Sequence, residues 1–193
     1  MKQLLALAIA CLASCQAAPE PAPHIDLLYG IRDFDTNQEW EQTDKQEVAG
    51  LQVHFCGNDG FGPEIGLNLS QEETSDPQFV NRSTNSTTTT VRELYLGLRK
   101  NFMITDSWQA HLSGGWATFK VDTKVDLDYA QTYETTGHGN APYLSAGTNY
   151  FVTDSLTAGL MYRHHFMSED ADIYCTNPDL DGGMFLVSLG WSF

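Results

Sequence analysis

The sequence predicts an all-β fold: an eight-stranded antiparallel up-and-down transmembrane β-barrel. Three observations predict it. Apolar residues recur at every second position in eight separate segments, so each predicted strand has one apolar face. The connections between those segments alternate long and short. The 193 residues are 41% hydrophobic and 11% aromatic, yet contain no run of about 20 apolar residues such as a membrane helix needs. The length suits one domain, and the aromatic content is too high for a disordered chain.

Lys+Arg 10 against Asp+Glu 25 gives a net charge of -15, and the mean hydropathy is -0.30. No basic face is available to displace phosphate counterions, which excludes nucleic acid as a partner. Simple adhesion to anionic head groups is excluded for the same reason. The 4 cysteines have no paired spacing, so neither a zinc ribbon nor a disulfide scaffold is predicted.

The chain begins with an address. Lys2 precedes the apolar run Leu4–Ala13, which is too short to span a bilayer but suits a signal-peptide core. Leu12-Ala13-Ser14-Cys15 resembles the bacterial lipobox, in which cleavage precedes a cysteine that is then lipidated. Ordinary cleavage after Ala17 is the alternative. The reading is therefore a signal peptide over 1–14, lipidation at Cys15, a Pro-rich tether over 15–23, extended and unpacked, and a barrel over 24–193. Either cleavage exports the chain.

The strands follow in order. Ile25, Leu27, Tyr29 and Ile31 share the first apolar face; Ala49, Leu51, Val53 and Phe55 the second; Ile65, Leu67 and Leu69 the third; Leu94, Leu96 and Leu98 the fourth. Trp108, Ala110, Leu112 and Trp116 form the fifth, Leu144, Ala146 and Tyr150 the sixth, and Leu156, Ala158, Leu160 and Tyr162 the seventh. The eighth is the clearest: Phe185, Val187, Leu189, Trp191 and Phe193 alternate with Met184, Leu186, Ser188, Gly190 and Ser192. Segments of roughly ten residues are what a tilted strand needs to cross hydrocarbon.

The connections fall near 35–46, 57–62, 73–89, 101–106, 119–140, 152–155 and 167–182. Long outer loops alternating with short periplasmic turns are the outer-membrane pattern. Two short turns repeat in sequence, NFMITDSW from Asn101 and NYFVTDSL from Asn149, with Thr, Asp and Ser placed to close a hairpin. With a periplasmic N-terminus, Phe55, Trp108, Tyr150, Trp191 and Phe193 fall at one rim, and Trp116, Tyr162, Phe166 and Phe185 at the other. Amphipathic rings favour head-group depth. A soluble calyx with its apolar face inward is the competing reading.

The terminal MFLVSLGWSF, the hairpin APYLSAGTNYFVTDSLTAGLMYRHHF and the segment ELYLGLRKNF resemble the small eight-stranded OmpA/OmpX-like outer-membrane barrels. The likeness covers about residues 24–193, and the aromatic end resembles their terminal assembly signal, carried here by Phe185, Val187, Leu189, Trp191 and Phe193. It implies a monomer in the Gram-negative cell envelope, surrounded by outer-membrane lipid and lipopolysaccharide and inserted by the barrel assembly machinery. The lipobox departs from that family.

The inward parity carries Asp26, Glu64 and Glu93 with Arg32, Arg99 and Arg163. An eight-stranded barrel is just wide enough for side chains to fill it. These six are expected to form two charge clusters that plug the lumen: Asp26, Glu64 and Arg99 low, Arg32, Glu93 and Arg163 high, with Glu64–Arg99 the nearest pair. A wet lumen with six solvated side chains is the alternative. No cofactor and no metal are assigned.

One constellation suggests catalysis. His164, Ser168 and Asp181 share outward parity if both strands run on, with His165 beside them. The set resembles that of the lipid A deacylases, where histidine takes the serine proton during ester attack. The spacing departs from theirs, since His165 and Ser168 are three apart and Glu169 follows. Rim histidines beside a loop are the preferred reading, so no enzyme is predicted. The last loop, with Glu169, Asp170, Asp172, Asp179 and Asp181, reads as a solvated acidic loop; weak calcium or magnesium bridging to lipopolysaccharide is its alternative. Loop two, NRSTNSTTTT, reads as polar and mobile. Cys56 and Cys175 are expected at opposite ends, too far apart for a disulfide.

Overall fold

In a computed structural model the chain forms a closed barrel of eight antiparallel strands, each paired with its neighbours in sequence and the last with the first. Residues 23–34, 45–76, 85–127, 131–166 and 182–193 are described. The strands are β1 (His24–Phe34), β2 (Lys45–His54), β3 (Phe61–Asp76), β4 (Asn85–Thr105), β5 (Trp108–Leu127), β6 (Gln131–Phe151), β7 (Leu156–His165) and β8 (Gly182–Ser192). The expected signal peptide, Cys15, Ser168, Cys175, Asp181 and the acidic residues of the last loop lie outside the described residues.

The alternation sets the sense of the wall. Leu160 is 63% exposed and Phe185 67%, whereas Arg99 is 1% and Arg163 0% exposed. The leucines and tryptophans of the eight apolar rows point outward, and Asp26, Arg32, Glu64, Glu93, Arg99 and Arg163 point in. This is the reverse of a soluble calyx, whose apolar face would line the cavity, so that alternative is overturned. All five terminal residues Phe185, Val187, Leu189, Trp191 and Phe193 face outward.

Register lines up the aromatic rims. Trp108 is paired with Tyr150, their rings 5.2 Å apart, and Leu156 with Trp191. At the other rim Tyr162 is paired with Phe185, and Phe166 N–H donates to the Pro142 carbonyl beside Trp116. Both repeated turns close the same way. Thr105 Oγ1 accepts from the backbone N–H groups of Ser107 and Trp108, and Thr153 Oγ1 from those of Ser155 and Leu156. A hydroxyl two or three residues ahead of the donor is a side-chain-closed turn.

Four strands are longer than expected, β3 with 16 residues among them. β4, β5 and β6 have 21, 20 and 21 residues, against the roughly ten predicted. Pairing continues to Asp76–Asn85 and Leu127–Gln131, so most of 73–89 and 119–140 is sheet. The run Thr87–Thr90, read as a mobile tract, is strand for the reason that its residues are β-branched and fit a pleated surface. Above the upper aromatic rim this extension carries its own polar rungs: Thr136 Oγ1 donates to Asp122 at 2.8 Å, and Lys120 and Arg92 lie 3.1 and 3.6 Å from its carboxylate. The Thr136 bond comes first and the two cations second in holding the Asp122 carboxyl below its usual range.

Candidate functional site

The barrel interior is the site, and the inward row of every strand builds it. Glycines opposite large residues make the room. Gly66 is paired with Tyr95, whose ring lies where a Cβ would stand. Tyr143 leans across Gly115 until its hydroxyl meets the Cβ position of Gly97. Small-against-large filling of this kind suits a narrow barrel. Two buried apolar clusters occupy the remaining space: Leu28, Val48, Met161, Met184 and Leu186 on one side, and Val91, Ala117, Phe119, Val121 and Ala141 with both tyrosines on the other.

Glu93 organises the upper charges. Arg32 Nη2 donates to Glu93 Oε2, Arg163 Nη1 stands 3.7 Å from Oε1, and His165 Nε2 bonds Oε1 at 3.0 Å. Arg163 also donates to Gln52 Oε1 at 3.1 Å, and its Cζ stands over the Tyr95 ring, 3.7 Å from its centroid. Tyr95 Oη donates to the same Gln52 oxygen at 2.8 Å. The arrangement is a buried ion network with shared hydrogen bonds, the form in which enclosed charge persists.

The lower charges differ from expectation in their pairing. Arg99 Nη1 is nearest Asp26 Oδ2, at 3.8 Å, and its Nε donates to Asn101 Oδ1 at 2.8 Å. Glu64 instead accepts from Tyr143 Oη at 2.7 Å. Glu64 is paired with Gly97 and Arg99 with Gly62, so the two are diagonal neighbours. Gly97 leaves the space through which the Tyr143 hydroxyl reaches Glu64, while Asn101 holds the Arg99 guanidinium toward β1. Glu64–Arg99 is therefore not the pair that forms.

Two further features escaped the sequence reading. The turn after β2 closes the floor: Asn101 Nδ2 donates to the Gly57 carbonyl at 3.0 Å and Gln109 Nε2 to the Asn58 carbonyl at 2.8 Å. Inward histidines collect near that floor. His24 and His54 are paired across β1 and β2 and stack with centroids 4.6 Å apart; His24 Nε2 lies 3.0 Å from Asp26 Oδ1 and 3.1 Å from Thr157 Oγ1. His54 and His111 are buried and make no hydrogen bond at either ring nitrogen. Parity alone placed His54 and His111 inward; what the sequence lacked was the β1–β2 register that sets His24 against His54.

Of the suggested catalytic group only the two histidines are described, and they face opposite sides of the wall. His165 faces the lumen on Glu93, while His164 faces outward, its Nδ1 3.5 Å from Tyr162 Oη. Consecutive residues on a strand point to opposite faces, so the two histidines cannot serve one outer-wall serine. Cys56 is a free, buried thiol whose Sγ–H donates to the Arg99 carbonyl at 3.4 Å.

Comparison with known proteins agrees with this geometry. The outer membrane protein beta-barrel domain family matches residues 3–193. The chain belongs to that family. It is thus a bacterial outer-membrane barrel. Among solved structures it is similar to Ail, the attachment invasion locus protein of Yersinia pestis, at 9% identity and TM-score 0.59, over 89% of this chain and 99% of that one. It is also similar to OprG of Pseudomonas aeruginosa, at 12% identity and TM-score 0.58, over 91% and 98% of the two chains. The N-terminal barrel of Pseudomonas aeruginosa OprF matches at 13% identity and TM-score 0.51, over 90% and 98%. These likenesses concern the fold. No curated protein matches the chain.

Proposed function

We propose that this chain is a non-enzymatic outer-membrane barrel that acts as a structural or surface-interaction protein, its lumen closed by paired charges. The observation that carries the reading is the burial of all six interior charges, Asp26, Arg32, Glu64, Glu93, Arg99 and Arg163, among tyrosines and apolar side chains. An open pore needs a continuous water path. The Glu93 cluster, the two apolar clusters and the floor turn, all inside the barrel, support a closed lumen. With His165 turned inward on Glu93, the catalytic alternative rests on His164 alone.

In this reading the N-terminus and the turns 55–60, 106–107 and 152–155 are periplasmic, and the extended ends of β4, β5 and β6 stand outside. Residues 1–14 are the signal peptide and 15–23 the tether, with Cys15 lipidated or removed. The barrel is a monomer, inserted by the barrel assembly machinery and bordered by lipopolysaccharide. The test is conductance in planar bilayers. A plugged barrel, shown folded by heat-modifiable gel mobility, gives no steady single-channel current. Regular open-channel steps from such folded protein would overturn the plug.

A further inference from the structure

The floor of the lumen sets two histidines, which the charge plug does not use, beside Asp26, which it does. β1 and β2 are paired His24 to His54, which sets two imidazoles side by side on the inner face. Asp26 follows His24 by two residues and shares its face. Its carboxylate divides between the rings, with Oδ1 3.0 Å from His24 Nε2 and Oδ2 3.5 Å from His54 Nε2. One ligand atom from each residue lies within 4.8 Å of the other two, and all three residues are buried. His54 is 2% exposed and has no hydrogen bond at either ring nitrogen, an expensive state for an enclosed imidazole. Gly190, opposite both Asp26 and Thr157, keeps the space clear: a Cβ there would meet His24 Nε2, Asp26 Oδ1 and Thr157 Oγ1.

We propose that His24 Nε2, His54 Nε2 and an Asp26 carboxylate oxygen bind one divalent first-row transition ion. Two neutral imidazoles and a carboxylate form a borderline donor set, suited to zinc, copper, nickel or cobalt; calcium and magnesium take oxygen ligands. Tetrahedral bonds of about 2.0–2.1 Å separate their donors by roughly 3.3 Å; the 3.0 and 3.5 Å spacings are to different Asp26 oxygens, so the carboxylate turns to bring one oxygen to both rings. Thr157 Oγ1 or a water supplies the fourth position. Arg99, 3.8 Å from Asp26 Oδ2, orients the carboxylate and also repels the incoming cation, so it weakens the site. Binding satisfies the His54 nitrogen that the protein leaves unbonded.

The test uses the untagged chain refolded in detergent, stripped of metal and titrated with Co(II) and Cu(II). The expected result is one ion per barrel, a Co(II) visible spectrum, and Cu(II) electron paramagnetic resonance with coupling to two imidazole nitrogens. His54→Gln and Asp26→Asn should each bind at least about 100-fold more weakly, since loss of a supporting partner alone costs about 10–100-fold. Heat-modifiable mobility confirms that each variant is folded. The double variant His138→Gln/His164→Gln removes the histidines outside the lumen and should keep the spectrum. Absence of two-nitrogen coupling in the unaltered chain would overturn the proposal without recourse to any variant. So would loss of the signal in the double variant, or unchanged binding by folded His54→Gln.

Discussion

Replacing Glu93 by glutamine removes the one carboxylate on which Arg32, Arg163 and His165 converge. An ion pair near 4 Å at an effective dielectric of about 20 has a gross attraction of roughly 4 kcal/mol. Two guanidinium groups face Glu93, one through a direct hydrogen bond and one at 3.7 Å. All three side chains are enclosed, so their desolvation is not recovered when the anion is lost. Breaking such a buried pair costs about 3–5 kcal/mol. Glutamine keeps one acceptor oxygen, which puts Glu93→Gln near the lower end, about 3 kcal/mol. The assay is equilibrium urea unfolding in phospholipid vesicles, read by tryptophan fluorescence, with the exposed Glu134→Gln as a control expected within about 0.5 kcal/mol. In a water-filled lumen the pairs would behave as solvated surface ion pairs, worth about 0–1 kcal/mol. A Glu93→Gln loss below about 1 kcal/mol would therefore refute the plug's energetic role.

Other perturbations probe the same design elsewhere. Tyr143→Phe leaves Glu64 without its hydroxyl donor and should destabilise the barrel by about 1–3 kcal/mol in the same unfolding assay; no change would mean that water already serves Glu64. Gly97→Ala drives a methyl group into the Tyr143 hydroxyl, with an expected cost of about 1–3 kcal/mol and altered near-UV dichroism of the tyrosines. Val187→Arg, between the two aromatic rims on the outer face, should cost about 2–4 kcal/mol in vesicles; a neutral effect would deny that this face meets acyl chains. Asp122 should titrate below free aspartate, since Thr136 and the neighbouring cations favour its ionised form. The stability this gives is present above the ordinary aspartate range and is lost as pH falls through the lowered midpoint. Thr136→Val should move that midpoint upward in carboxyl NMR, and an unmoved midpoint would assign the shift elsewhere.

Period-two alternation carries strand identity and facing, because a side chain on a pleated ribbon has only two directions to point. That is why Leu27, Leu160 and Phe185 could be assigned to the wall and Arg99 and Glu93 to the lumen before any coordinates. The repeated Thr-Asp-Ser turns were legible for a related reason, since their hydrogen bonds are local. Partner choice inside the lumen was not. It depends on register and on which glycine leaves a gap, and Gly97 diverts Glu64 to Tyr143. The His24–His54 pairing was hidden likewise, since the 35–44 connection between β1 and β2 does not reveal its register. The threonine run is strand although polar, because branching at Cβ favours extension.

The Arg32–Glu93 contact joins β1 to β4, strands that share no edge in the ring. Neither partner can neutralise the other across a half-formed, open ribbon; each would confront hydrocarbon or water alone. The stitch between first and last strands is thus also the moment at which the interior becomes electrically quiet. Insertion into the bilayer and closure of the cylinder are, on this account, a single cooperative event, and a chain truncated before Gly182 should stall outside the membrane rather than enter it as a seven-stranded sheet.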